Sequence, residues 1–150
     1  MIALACDHVA LPLKEELKRL LAEMGMETKD FGTFTPQRTD YPIYAARAAR
    51  AVVSGECDKG IICCGTGVGI SIAANKIHGV RCVVCSDCYS ARLSRQHNNT
   101  NMLSIGSRVV GVDLAKMIVK EWLTADFEGG RHQLRLDQIE KLERQEDIEG

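Results

Sequence analysis

What this chain lacks narrows it first. It has almost no net charge: 19 Lys and Arg stand against 20 Asp and Glu, a formal −1 over 150 residues. That balance leaves no electrostatic footprint for nucleic acid or an anionic membrane. It has no apolar run near the roughly 20 residues that span a bilayer. Its first residues, Met1-Ile2-Ala3-Leu4-Ala5-Cys6-Asp7, have no basic n-region and meet an acid too early for a secretory signal. Internal repeats, low-complexity tracts and a composition break that would mark a second domain are missing too. These absences predict one cytoplasmic domain over residues 1–150, long enough to bury about two-thirds of its unfolded surface. Cysteine, by contrast, is plentiful. Seven of them, an odd number without secretory context, read as reduced thiols rather than a disulfide framework.

Short apolar runs alternate with helical periodicity along the chain. Ile2 to Cys6 reads as a strand, and Leu13, Leu17, Leu20, Leu21 and Met24 then recur at helical spacing up to a stop at Gly25. A more polar strand over about 26–31 suits a sheet edge. Asp40 is placed to cap a helix from Tyr41-Pro42 to about Val53, with proline in the permissive first turn. The apolar run Ile61-Ile62-Cys63-Cys64 reads as a strand buried on both faces, and the helix after it closes at Gly79. Arg81 to Ser86 is a fourth strand, and Asp87 can cap a helix from Cys88 to about Gln96. The loop formers His97-Asn98-Asn99-Thr100-Asn101 follow. Met102 to Gly106 is a fifth strand, and Leu114, Ile118, Val119, Trp122 and Leu123 mark a fifth helix. Beyond a Glu128-Gly129-Gly130 hinge, a charged helix from about Arg131 to Gln145 carries only a narrow stripe of Leu136, Ile139 and Leu142. The alternation predicts an α/β fold: a three-layer α/β/α sandwich around a five-stranded parallel sheet, Rossmann-like. The thin stripe predicts that the last helix packs on a partner subunit.

The stretch that organises the rest is Cys64-Gly65-Thr66-Gly67-Val68-Gly69, set between a strand and a helix. A glycine turn running into a helix aims several backbone N–H groups at one point, and the helix dipole is positive there. A thiol at the mouth of such a turn has its thiolate stabilised, so it can act as base or nucleophile facing an oxyanion hole. Core filling is the plainer role for a cysteine, and we assign it to Cys63; the chemical role falls to Cys64. Cys82, Cys85 and Cys88 form C-x2-C-x2-C, the spacing of a metal or iron–sulfur site. On a strand, however, residues three apart point to opposite faces, which favours structural cysteines.

In open α/β sheets ligands sit beyond the carboxyl ends of the strands. Asp7 and His8, Tyr41, the Cys64–Gly69 turn, Asp87 and Arg108 all fall in such connections. His97 is read as a loop residue at this same edge; His78 and His132 read as surface residues. Arg131 and Arg135 share one helix face, which is either a solvated face pairing with Asp126 or Glu128, or a clamp for a phosphate.

Taken together, Cys6-Asp7-His8, Arg38-Thr39-Asp40-Tyr41-Pro42, the run from Cys64 to Lys76, Ser94-Arg95-Gln96-His97-Asn98, Gly106-Ser107-Arg108 and Gly129-Gly130-Arg131-His132 resemble the ribose-5-phosphate isomerase B family. That family includes galactose-6-phosphate and allose-6-phosphate isomerases, and the resemblance spans almost the whole chain. Ala5 and Ala10 stand where glycines often flank the Asp-His pair, which bears on the shape of the first loop. The resemblance implies an aldose–ketose isomerase that works through a cis-enediolate with neither metal nor cofactor. It implies Cys64 as the base between C1 and C2, the amides of Gly65, Gly67, Val68 and Gly69 around the enediolate, and Thr66 in proton exchange between its oxygens. His97, with Asp7 near it, would open the sugar ring, and Tyr41 and Asn98 would position the sugar. His8, Arg108, Arg131 and Arg135 would hold the phosphate. It also implies a homodimer, or a dimer of dimers, whose subunits share each site. Ribose 5-phosphate is the expected substrate, with a six-carbon sugar phosphate as rival. The readings from another class are a non-catalytic phosphosugar-binding module and a cysteine-ligated metal protein.

Overall fold

The computed structural model describes residues 1–149. Three strands form where apolar residues run unbroken: β1 (Ile2–Cys6), β3 (Lys59–Cys64) and β5 (Met102–Gly106). Two shorter ones, β2 (Thr28–Asp30) and β4 (Cys82–Val84), carry less apolar surface. All are parallel, in the order β2-β1-β3-β5-β4, so the two short strands are the edges. Six helices complete the described residues: α1 (Leu11–Glu23), α2 (Tyr41–Val53), α3 (Val68–Ala74), α4 (Cys88–Asn98), α5 (Val112–Thr124) and α6 (Arg131–Glu143).

Period-two alternation sorts the inner strands into two cores. Ile2, Leu4, Cys6, Ile61, Cys63, Leu103 and Ile105 face one side and pack with α1 and α5, including the fully buried Trp122. Ala3, Ala5, Ile62, Cys64 and Met102 face the other and pack with α2 and α3. The second core is built from small side chains, among them Ala45, Ala48, Ala49 and Ala51 of α2. Without long side chains between them, α2 can lie close to the sheet and bring its first residue, Tyr41, near the end of β3. Cys82 belongs to the second core and Cys85 to the first, so these two thiols lie on opposite sides of the sheet, as strand geometry requires.

The expected three-layer architecture is present, with differences at the ends of elements. The edge strands are shorter than predicted. The third helix stops at Ala74, and turns carry the chain to Gly79. Asp87 caps α4 by accepting the Ser90 N–H at 2.6 Å, whereas Asp40, at the equivalent position before α2, makes no side-chain cap. The last helix ends at Glu143. Of its stripe only Leu136 is buried, while Ile139 and Leu142 are about half exposed in the single chain.

Candidate active site

β3 and β5 are neighbours, and Cys64 pairs with Gly106 at the carboxyl end of both. Beyond that pair the two connections stay tied. The Ser107 N–H donates to the Cys64 carbonyl at 2.9 Å, and the Arg108 N–H to the Gly65 carbonyl at 3.0 Å. The Arg108 side chain lies along Gly65, where an added Cβ would stand 3.7 Å from Arg108 Cδ. Residues more than forty positions apart in the sequence are thus joined at one point because β5 lies beside β3.

The turn itself is tight. Gly67 adopts φ +77°, and its Cα faces the backbone of β5, where a Cβ would come within 2.9 Å of Gly106 N. The buried Ser104 hydroxyl donates to the Gly67 carbonyl at 2.6 Å and fixes the turn from below. Within the turn the Gly67 N–H donates to Cys64 Sγ at 3.2 Å. The Val68 N–H donates to Thr66 Oγ1, also at 3.2 Å. Two of the amides expected around an enediolate are therefore engaged with the thiol and the hydroxyl beside it. The next two amides, of Gly69 and Ile70, have no carbonyl one turn below, and the Ser71 N–H then donates to the Gly67 carbonyl at 3.3 Å. Cys64 is 5% exposed, with its sulfur under the turn rather than on an open surface. Burial pushes the Cys6 and Cys85 thiols up to about 12 and raises those of Cys57, Cys63 and Cys82 as well. Those five are held as thiols by their surroundings.

Asp7 and His8 follow β1 on the same edge. One oxygen of the largely buried Asp7 accepts the N–H groups of Val9, at 3.0 Å, and Ala10, at 3.1 Å, so the carboxylate shapes the entry into α1. His8 accepts the Thr39 N–H on Nδ1 at 3.2 Å. That engages Nδ1 as an acceptor and leaves Nε2 as the other nitrogen of the ring. Tyr41, at the start of α2, lays its ring over Gly69, where an added Cβ would be 2.6 Å from Tyr41 Cζ. Two open clefts flank these groups. One of about 750 Å³ runs past His8, Ser107 and Arg108, and one of about 520 Å³ past Asp7, Thr39 and Tyr41.

His97 and Asn98 are not at this edge, which corrects the reading of His97 as a loop residue there. Both belong to the last turn of α4. That helix starts just after β4, runs back against the strands, and rises about 16 Å over its length. Asn99 closes it at φ 44°, ψ 46°, three residues before β5 begins at Met102. Arg81, just ahead of β4, donates from Nε to the carbonyls of Asn98 at 3.2 Å and Asn99 at 3.1 Å, fixing this end at the amino edge of the sheet. Within one chain His97 lies a full strand length from Cys64.

The first turn of α6 sits beside it. His132, expected to be solvated, is buried at 6% exposure and stacks on His97 with ring centroids 4.3 Å apart and planes 11° from parallel. Burial, followed by the neighbouring His97, pushes the His132 imidazolium below its ordinary 6.5. Arg131 and Arg135 are exposed on the same helix. Neither pairs with Asp126 or Glu128, and no ion pair among the described residues includes Arg108, Arg131 or Arg135. Three guanidinium groups without carboxylate partners, in two sets at opposite edges, are suited to external anions.

Sequence reasoning missed Ser104, Thr39 and the His97–His132 stack. A lone serine inside Met102-Leu103-Ser104-Ile105-Gly106 was the available signal for the first. It also missed the buried Lys14, whose ammonium donates to Asp30 at 2.8 Å and to the Thr33 carbonyl at 2.6 Å, bracing the loop that leads to Thr39.

Known proteins share this sequence and this fold. The chain is 61% identical over 142 residues to the Escherichia coli (strain K12) protein named ribose-5-phosphate isomerase B, covering 95% of each chain. It is 38% identical to the D-erythrulose-4-phosphate isomerase of Pectobacterium atrosepticum, covering 97% of this chain and 96% of that one. The solved structure of Clostridium thermocellum ribose-5-phosphate isomerase B superimposes with a TM-score of 0.95 at 50% identity, over 96% of this chain and 97% of its own. No helix among the described residues is long and apolar enough to cross a membrane. A family model described as Ribose/Galactose Isomerase matches residues 2–139, and it is to this family of sugar isomerases that the chain belongs.

Proposed function

We propose that this protein interconverts ribose 5-phosphate and ribulose 5-phosphate, with Cys64 as the base. The C–H next to a carbonyl is a weak acid, so its removal needs a positioned base and stabilisation of the oxyanion that develops. In this reading the Cys64 thiolate takes the proton from C2 of the open-chain aldose and returns it to C1 of the cis-enediolate. The Gly67 N–H steadies the sulfur, while the Gly65 and Gly69 amides of the turn face the enediolate oxygens. Thr66 passes the proton between O1 and O2. His97, with Asp7 across the site, opens the furanose ring, and Tyr41 and Asn98 orient the sugar. His8, Arg108, Arg131 and Arg135 hold the phosphate, which anchors the substrate away from the reacting carbons.

The observation that carries the reading is the Cys64 sulfur beneath a glycine turn, with an uncompensated Arg108 against it. The strand-length gap between Cys64 and His97 adds a further component. Each site takes its turn from one chain and its His97, Asn98, Arg131 and Arg135 from a second copy. A homodimer, or a dimer of dimers, is therefore the active form, located in the cytoplasm where seven unpaired thiols stay reduced.

A relative bearing the name D-erythrulose-4-phosphate isomerase favours testing shorter sugars beside the six-carbon rivals. The experiment compares kcat/KM for ribose 5-phosphate, erythrulose 4-phosphate, allose 6-phosphate and galactose 6-phosphate, with Cys64→Ala as control. We expect ribose 5-phosphate to lead and Cys64→Ala to lose about 10²–10⁴-fold in kcat. Wild-type turnover in that variant would remove Cys64 as base. Binding without turnover of any of the four would identify a phosphosugar-binding module instead.

A further inference from the structure

The backbone and the ring of His8 are held by different devices. Asp7 sets the backbone, accepting the two N–H groups that follow His8. The ring has one hydrogen-bond partner among the described residues, the Thr39 N–H on Nδ1 at 3.2 Å. Thr39 stands 31 positions away, beyond an exposed connection over residues 34–38. No hydrogen bond among the described residues reaches residues 34–38. A stretch so loosely tied aims a ring only if both of its ends are fixed.

The near end is fixed by β1 and α1. Cys6 exchanges backbone hydrogen bonds with Gly32 at 2.7 Å and Thr33 at 2.8 Å, and Lys14 holds the Thr33 carbonyl. The far end is tied by Tyr44, in the first turn of α2. The Thr39 hydroxyl donates to Tyr44 Oη at 3.2 Å, the one bond Thr39 makes besides that to His8. The same ring lies along Gly32, where an added Cβ would stand 3.0 Å from Tyr44 Cε1. The Arg47 guanidinium covers its face, 5.2 Å from the centroid. One side chain on a helix thus touches both ends of the connection. Because Gly32 and Arg47 already fix the ring, the bond to Thr39 orders the loop at little further entropic cost. Tyr44 lines neither of the two clefts, so its reach into the site runs through Thr39.

We propose that Tyr44 is a positioning residue for the phosphate end of the site: by holding Thr39 it keeps in place the N–H that orients the His8 ring. The consequence for substrate rests on the role given to His8 under Proposed function; the orientation of the ring is independent of it.

The test compares Tyr44→Phe, which keeps the ring beside Gly32 and removes only the hydroxyl, with Thr39→Val, Thr39→Ser and the double variant Tyr44→Phe/Thr39→Val. The direct readout is the His8 ring in proton–nitrogen NMR spectra, identified by its loss in His8→Gln. Its Nδ1 resonance should shift alike in Tyr44→Phe and Thr39→Val and return to the wild-type position in Thr39→Ser. In kinetics, KM for ribose 5-phosphate should rise about 3–10-fold in the first two, the worth of one neutral hydrogen bond, with kcat within about twofold. The double variant should be no worse than either single one, because the pair acts as a unit, and Thr39→Ser should keep the wild-type KM. An unmoved Nδ1 resonance in both Tyr44→Phe and Thr39→Val, or additive losses in the double variant, would overturn the proposal. A shifted resonance with unchanged KM would leave Tyr44 orienting His8 and overturn its effect on substrate alone. Should Tyr44→Phe fail to fold, Thr39→Val, in a surface connection, carries the same test. If no sugar phosphate were turned over, the His8 resonance would still decide the orientation.

Discussion

Gly67 and Gly69 stand two positions apart in one turn, yet they meet different obstacles. Around Gly67 the neighbours are backbone: a Cβ would lie 2.9 Å from Gly106 N and 2.9 Å from Ile105 C, in a residue already at positive φ. A side chain in that region costs about 1–2 kcal/mol, and overpacking against immovable atoms adds about 1–3 kcal/mol. Gly67→Ala should therefore lower stability by about 2–5 kcal/mol in denaturant unfolding and disturb Cys64 with it. Around Gly69 the obstacle is the tip of the Tyr41 ring, which can swing aside. Gly69→Ala should change stability by less than about 1 kcal/mol, as surface substitutions do, while raising KM through the displaced tyrosine. Equal losses of stability in the two variants would contradict this distinction. Cys63 and Cys64 teach the same lesson about neighbours: alternation along β3 sends one thiol to each core, and only the second reaches the turn.

At the scale of elements, the contact between α4 and α6 has a titratable joint. The folded protein holds His132 below the ordinary 6.5, chiefly by burial. As the pH falls, the unfolded chain takes up that proton first. The contribution to stability is whole above about pH 6.5, is lost as the pH drops toward the folded value, and then levels off. Thermal melts should show Tm falling more steeply between about pH 7 and pH 5 in the wild type than in His132→Gln; parallel slopes would refute the assignment. The same two helices show where sequence reading stopped. Strand and helix identities were legible because apolar runs and 3.6-residue spacing differ plainly, and Asp87 was readable as a cap. The end of α4 was not, because Asn98-Asn99 reads as loop, while the left-handed Asn99 in fact closes a helix that retains both His97 and Asn98. Their edge could have been found by following the chain: residues immediately ahead of β5 must lie at its amino end. The burial of His132 had no such signal, since its cover is a ring from another helix.

The whole molecule separates the proposed machinery into two sets, and a mixing experiment reads that separation directly. Cys64→Ala and His97→Gln chains should each be nearly inactive alone. In a hybrid dimer of the two, one site inherits both defects and the other inherits neither. Random reassortment of a two-fold dimer should then recover about a quarter of wild-type activity. A mixture as inactive as its parents, with hybrids demonstrated by mass, would mean that each chain carries its own complete site. Topology has a further effect, on the chain's birth. β4 bonds to β5 alone, and the glycine turn is clamped by Ser104, 37 positions after Gly67. A nascent polypeptide emerging from the ribosome therefore carries a strand with no companion and an unbraced glycine turn until Gly106 has been added. Unpaired strand edges invite aggregation, so the interval of greatest need for chaperone cover comes late in translation, after most of the protein has been made.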